Sequence, residues 1–185
     1  MKTMKVVIPG VLTTVQDLGR FGYQKSGMTC SGVMDTAAYR KGNYLVGNEE
    51  GAAVLEMTLY GGSCRFEEDT VIALTGADMQ PTVNQKPIAM NQAVKVPAGG
   101  VLNLGMAKTG CRTYLAAAGG FEVPKVMGSY STNLKCGIGG HEGRALQMGD
   151  ELPIGEALHS WDEVKDRKVS VPDYPKEVLV SVVPG

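Results

Sequence analysis

Five short stretches place proton-exchanging, anion-holding and hydrogen-bonding side chains directly after apolar runs. Thr13-Thr14-Val15-Gln16-Asp17-Leu18-Gly19-Arg20 closes one run with an amide, a carboxylate and a guanidinium. Ser31-Gly32-Val33-Met34-Asp35 supplies a hydroxyl and a second carboxylate at an expected helix start. Thr75-Gly76-Ala77-Asp78 sets a third carboxylate after the apolar Val71–Leu74. Gly110-Cys111-Arg112-Thr113-Tyr114 adds another guanidinium and a phenol, and Gly128-Ser129-Tyr130-Ser131-Thr132 adds hydroxyls. Taken singly, each has a structural reading. Asp17 and Arg20 can pair across a turn, Asp35 can cap a helix, and Asp78 can close a turn, because caps and turns recruit these residue types. Glu56 is different. It lies inside the apolar run Ala53-Val54-Leu55-Glu56-Met57-Thr58, where an unpaired buried carboxylate is costly. Either alternation turns it to solvent, or it pairs with an arginine in a site.

Several familiar devices fail on spacing. Gly105 to Gly110 has the glycine separation of a Walker loop, but Cys111-Arg112 follows where Lys-Ser/Thr is required. Gly137-Ile138-Gly139-Gly140-His141-Glu142-Gly143 does not fit the dinucleotide fingerprint and reads as a flexible loop, with phosphate binding there as the lesser alternative. His141-Glu142 opens like a zinc-protease motif, but position 145 is Ala. With two histidines in all, a His-based metal site or triad is not expected, and His159 reads as a surface residue. The cysteines Cys30, Cys64, Cys111 and Cys136 form no Cys-x-x-Cys pair, so they are expected to be reduced and mostly buried.

The elements that must position these groups are mostly strands. Glycine, at 25 residues, recurs between short apolar runs. The expected strands are Lys5–Ile8, Leu12–Val15, Val54–Thr58, Ser63–Phe66, Val71–Thr75, Ala93–Val96, Val101–Leu104 and Thr113–Ala117. Pro97-Ala98-Gly99-Gly100 reads as a hairpin connection and Val83-Asn84-Gln85-Lys86 as a second turn. One helix is expected from about Asp35 to Val46, with Met34, Ala38, Leu45 and Val46 as its apolar face and Gly47 closing it. Glu156–Lys168 is polar, anchored by Trp161, and reads as a short surface helix or loop. The fold class expected is mainly β, a barrel or sandwich with one inserted helix.

The totals exclude some functions. At 185 residues the chain is long enough for a substantial core. With a formal net charge of −1 and no Lys/Arg run, nothing attracts nucleic acid or an anionic membrane surface. No apolar stretch approaches spanning length. The opening Met1-Lys2-Thr3-Met4-Lys5 leads into a strand-like run rather than a signal-peptide core, so a cytoplasmic location is expected. The run Val178–Val183 resembles a strand that leads elsewhere. The expected division is a β domain over 1–170, then a linker with the first strand of a second domain over 171–185; the alternative is that this strand closes the first sheet.

The order of the blocks resembles the biotin-dependent carboxyltransferase family, which includes the 5-oxoprolinase C subunit, allophanate hydrolase subunit 2 and the carboxyltransferase domain of urea carboxylase. The resemblance is carried by Gly10–Arg20 with Gly22-Tyr23-Gln24, Ser31–Asp35, Asn43, Val46-Gly47-Asn48, Leu55–Thr58, Ala73–Asp78, Gly110–Gly120 and Gly128-Ser129 with Ser131-Thr132. It implies a cyclophilin-like β-barrel-type fold and a second β-rich half. It implies one of three activities: ATP-dependent opening of 5-oxoproline to L-glutamate with A and B partner subunits, carboxyl transfer from biotin to urea, or a regulatory role antagonising a histidine-kinase inhibitor. The first fits best, because no Ala-Met-Lys-Met biotin-attachment motif is present. Biotin enters only under the second, and whether ATP meets this chain is open. The enzymatic members act on a small lactam or urea-like substrate, whose amide is a poor nucleophile and a poor electrophile. The resemblance therefore implies Asp17, Asp35, Asp78 and Gln16 as catalytic groups. It implies Arg20, Ser31, Asn48, Glu56, Thr75, Gly76, Arg112, Tyr114 and Ser129 as substrate-binding groups, around one pocket. No metal is expected.

Overall fold

The computed structural model describes residues 2–170, 177 and 179–183. Its strands are β1 (Lys2–Ile8), β2 (Leu12–Gln16), β3 (Val54–Thr58), β4 (Tyr60–Phe66), β5 (Thr70–Gly76), β6 (Thr82–Val83), β7 (Lys86–Pro87), β8 (Ala93–Val96), β9 (Val101–Met106), β10 (Arg112–Ala117) and β11 (Glu151–Ile154). They form two antiparallel sheets, of order β11-β1-β4-β9-β6-β7 and β2-β3-β10-β5-β8. Alternation along each strand sends one set of side chains inward. Met4, Phe66, Leu102 and Leu152 of the first sheet thus share a core with Leu55, Ile72, Leu74 and Leu115 of the second. The architecture is mainly β and barrel-type with one inserted helix, as expected, and the barrel is left open.

The helix α1 (Thr36–Val46) lies on the outer face of the five-stranded sheet. Tyr39, Leu45 and Val46 pack there against Val54, Ala73, Tyr114 and Ala116. Asp35 caps its start by accepting from the Ala38 N–H at 2.9 Å, and Gly47 ends it in the left-handed conformation at φ 77°. Gly42 looks unfavourable mid-helix, but a Cβ there would stand 3.3 Å from Thr75 Oγ1 and 3.4 Å from the Ala116 methyl. Its absence lets helix and sheet close together. A second helix, α2 (Trp161–Val164), starts with a capping box between Ser160 and Glu163. Among the described residues, no helix is long and apolar enough to cross a membrane.

All eight expected strands are present. Several details differ from the sequence reading. Pro97–Gly100 does not join a hairpin: β8 pairs with β5 and β9 with β4, so this turn carries the chain from one sheet to the other. Met34 is not on the helix face. It precedes the cap and is exposed, because its N–H is drawn to Glu56. The cysteines are all free, but only Cys64 is buried, while Cys111 and Cys136 are exposed. Burial pushes the Cys64 thiol up to about 12. Val164, buried, anchors α2 more fully than the half-exposed Trp161. The 137–143 loop is packed rather than loose: a Cβ at Gly139 would meet the Ser131 carbonyl and the Arg20 guanidinium.

At the C-terminus, residues 179–183 form no strand and are exposed. They do not close the first sheet, whose edges are β11 and β7. The expected linker Pro172–Pro175 and residue Val178 lie outside the described residues.

Candidate functional site

Antiparallel partners directly opposite one another share a face. Register places Thr14, Glu56, Tyr114 and Thr75 in one row across β2, β3, β10 and β5. This row lies on the face covered by α1. Glu56 is the residue that alternation moves out of the core, since Leu55 and Met57 point inward. It is not left to solvent, with a side chain 12% exposed. Its Oε2 accepts from the Tyr114 hydroxyl and from the Met34 N–H, each at 2.8 Å. Its Oε1 lies 3.3 Å from Arg112 Nε. That contact is an ion pair by distance but is not aligned as a hydrogen bond, so Arg112 Nε has no hydrogen-bond partner. Of the two readings of Glu56, pairing with arginine is the one observed.

The Tyr114 oxygen also accepts from the Asp35 N–H at 2.8 Å. Burial pushes this phenol's pKa up, the Asp35 N–H opposes that, and the Glu56 charge adds to the rise. Tyr114 therefore stays protonated as a donor to Glu56. Thr75 donates to the Ala38 carbonyl at 2.8 Å, tying the first turn of α1 to the sheet.

The strands carry further groups to the same end of the sheet. Gly76 has φ 89°, and a Cβ there would collide with the Arg112 carbonyl, so only glycine fits this turn. The chain then docks through Ala77 N–H to Arg112 O at 2.7 Å. Asp78 is half-buried, with Oδ1 accepting from the Gln80 N–H at 2.8 Å. It lines an open cleft of about 740 Å³ together with Gly76, Asn91, Lys108 and Thr109. That volume falls within the range of roughly 300–1,000 Å³ common for small-molecule sites. Sequence reasoning does not single out Asn91 or Lys108. Asn91 sits between strands in Met90-Asn91-Gln92, and Lys108 sits in a polar turn. Neither local pattern signals chemistry.

The remaining candidates lie toward the opposite end. Asp17 is buried, and its carboxylate accepts from Gly19 N–H, Ser129 Oγ, Ser131 Oγ and Tyr130 N–H. Arg20 is 1% exposed and donates to the carbonyls of Val126 and Ser131 rather than to Asp17. Gln16 donates to Thr14 Oγ1 at 3.0 Å and to Thr132 O at 3.3 Å. Asn48 donates to Asn43 Oδ1 and Ala117 O and accepts from Gly119 N–H, fixing the end of α1 against β10. Ser31 is half-buried at φ 55° where its chain passes Gly19. The structure thus gathers Asp35, Glu56, Thr75, Gly76, Asp78, Arg112 and Tyr114 at one end of the sheet. It places Gln16, Asp17, Arg20, Ser31, Asn48 and Ser129 at the other. The set does not converge on a single pocket.

Among the described residues, no group of three or more His, Cys, Asp or Glu is placed to hold a metal ion. The 137–143 loop leads into turns rather than a helix, so it offers no helix N-terminus for nucleotide phosphates.

Comparison with known proteins places this geometry in a family. The family described as carboxyltransferase domain, subdomain A and B, matches residues 26–185. The chain belongs to this carboxyltransferase family. It is 46% identical over 165 residues to the 5-oxoprolinase C subunit of Escherichia coli, a match covering 89% of this chain and 53% of that protein. It is 38% identical over 182 residues to urea amidolyase of Saccharomyces cerevisiae, covering 98% of this chain and 10% of that one. In three dimensions it matches the crystal structure of Kluyveromyces lactis urea carboxylase with a TM-score of 0.82 at 36% identity, over 98% of this chain and 16% of that one. The chain spans about half the length of the curated 5-oxoprolinase C subunits it matches. These carboxyltransferase relatives are named for 5-oxoproline and urea, two compounds with carbonyl–nitrogen bonds.

Proposed function

We propose that this chain forms the first half of a 5-oxoprolinase C subunit. With A and B partner subunits it would open 5-oxoproline to L-glutamate at the expense of ATP. The observation that carries the reading is the 46% identity to the Escherichia coli protein across 89% of this chain. The geometry agrees in kind. A lactam needs its carbonyl oxygen polarised and a proton managed at nitrogen. The Asp78–Arg112 end of the sheet offers a half-buried carboxylate beside a cleft, a lysine, and a carboxylate–phenol–guanidinium cluster. Asp78 is the group assigned to proton transfer. Arg112 is the group assigned to substrate binding, Glu56 and Tyr114 fix it from the row beneath α1, and Asp35 and Thr75 position the helix over them. ATP is assigned to the partner subunits. A cytoplasmic location goes with this role.

The test is reconstitution. Mixed with A and B subunits and the second half of a C subunit, the chain should support ATP-dependent glutamate formation that it lacks alone. Turnover by the isolated chain, or none from the complete set, rejects the reading. A second reading, carboxyl transfer between biotin and urea, is favoured by the match to urea carboxylase over 98% of this chain. A radiolabel assay for transfer from carboxybiotin to urea separates the two.

A further inference from the structure

We propose that the apolar patch of Val11, Leu59, Tyr60 and Met106 is the docking surface for the second half of a C subunit. Val11, Leu59 and Met106 are 66%, 45% and 59% exposed. Backbone bonds bring them together from three separate turns. The Val11 N–H donates to Tyr60 O at 3.1 Å, and the Ala107 N–H donates to Leu59 O at 2.7 Å. Register sets Met106 directly opposite Tyr60 at the end of the β4–β9 pair. Single exposed apolar side chains need no explanation, whereas a contiguous group marks an interaction surface. Leu59 strengthens the case. It stands at φ 62°, a conformation that turns ordinarily give to Gly or Asn. Its N–H donates to Cys111 O at 2.8 Å, so the turn is held and a leucine is presented to solvent.

The surroundings name the occupant. None of Val11, Leu59 and Met106 lines the cleft beside Asp78, so the patch suits a protein face and not a small molecule. A stable contact between separate proteins buries about 800 Å² on each side, from some two dozen residues. Four side chains fall well short of that. They suffice for a neighbour on the same chain, because a tether raises its effective concentration to about the millimolar range. The chain spans about half the length of the curated C subunits it matches, so such a neighbour exists in those relatives. Lys108 follows Ala107 and Arg112 follows Cys111, so two cations border the patch. The docked face is accordingly apolar at its centre, with carboxylates at its edge. This assignment rests on the proposed reading of the chain as the first half of a C subunit. It deepens that reading by naming where the second half sits.

The chain carries its own reporters. Cys111 is exposed within the patch, where its carbonyl holds Leu59. Cys136 is exposed at the Asp17 end, in a turn tied to Thr29 through Asn133. Maleimide labelling of each is followed by peptide mass spectrometry in two proteins. One is the chain alone, and the other continues it with the second half of the Escherichia coli C subunit. In the full-length protein Cys111 labelling should slow about tenfold or more, because a covered thiol reacts only when its cover opens. Cys136 labelling should not change. Val11→Asp with Met106→Asp sets charges at the centre of the contact and should return Cys111 to the rate of the isolated chain. Equal labelling of Cys111 in both proteins overturns the proposal, and so does protection of Cys136 in its place. Protection of Cys111 in the chain alone that rises with concentration also overturns it, since the cover is then a second copy. Glutamate formation by the full-length protein with A and B subunits keeps the two ideas apart. If glutamate forms while Cys111 stays reactive, the surface is wrong and the functional reading stands. If Cys111 is protected and no glutamate forms, the surface stands and the functional reading fails.

Discussion

The two ends of the five-stranded sheet carry similar side chains in opposite conditions. At the Asp17 end, one carboxylate takes four donors, and Asn48 makes three hydrogen bonds that join helix to strand. Gln16 Oε1 and Arg20 Nη1 are unpaired there, but both are enclosed in packed protein. At the Asp78 end, Asp78 accepts a single turn hydrogen bond, Asn91 Oδ1 has no partner, and Arg112 faces Glu56 without a well-aligned bond. An open cleft adjoins Asp78 and Asn91. The contrast teaches that residue type does not locate a site. Hydrogen-bonding capacity left over next to open space does. A saturated carboxylate has no lone pair to offer a substrate, whereas an under-used one beside a cleft does.

The contrast is tested most strongly by Asp78→Asn. In the reconstituted complex it should lower kcat/KM for 5-oxoproline by about 10²–10⁴-fold, the usual contribution of a positioned proton-transfer group. The melting temperature should move little, since the turn hydrogen bond to Gln80 survives. Equal activity of the variant would remove Asp78 from the chemistry. The matching change at the other end, Asp17→Ala, strands four buried donors. It should cost about 3 kcal/mol or more in urea unfolding, within the range for breaking a buried network. An Asp17→Ala protein as stable as the parent would show that this end does not lock the fold.

A smaller effect is expected at Glu56. Glu56→Gln keeps an acceptor for Tyr114 and Met34 but loses the charge opposite Arg112. Because that pair is partly exposed, the stability loss should be about 1 kcal/mol or less. The larger change should fall on substrate affinity, read as KM, because Arg112 is freed to turn. If KM is unaffected, the Glu56–Arg112 pair belongs with the structural end.

Much of the framework is legible in the sequence because it rests on local chemistry. Asp35 and Gly47 bracket the helix as a cap and a left-handed stop should, and Asn84-Gln85 sits at φ 49° and 68° between two paired strands as a tight hairpin turn. Strand β11 escapes a sequence reading because Glu151-Leu152-Pro153-Ile154 contains a proline, which argues against a central strand. The structure admits it by placing β11 at the sheet edge. The hairpin expected at Pro97–Gly100 fails because a turn signal reports a change of direction, not which strand is paired next. The site is legible in part for the same reason. The motifs supply the residues, but which aspartate is saturated depends on partners more than 100 positions away, such as Ser129 and Ser131.

The finest comparison uses the two buried tyrosines, one at each end of α1's contact with the sheet. Tyr39 donates to the carbonyls of Glu50 and Ala52, and Tyr114 donates to the Glu56 carboxylate. Burial is the main cause that pushes both phenols up, with nearby carboxylates adding to the rise. A phenol whose folded pKa lies above its unfolded value, about 10, stabilises the fold fully below that value. The contribution fades as pH rises through the folded pKa. In an alkaline titration of the folded chain, Tyr39 and Tyr114 should therefore remain protonated until the chain unfolds. Tyr114→Phe should remove one of these two shielded phenols. It should also leave Glu56 short of a donor while Tyr39 stays shielded, so the alkaline unfolding midpoint shifts only slightly. If Tyr114 titrates near pH 10 in the folded protein, its hydroxyl is open to water and the row beneath α1 is not closed.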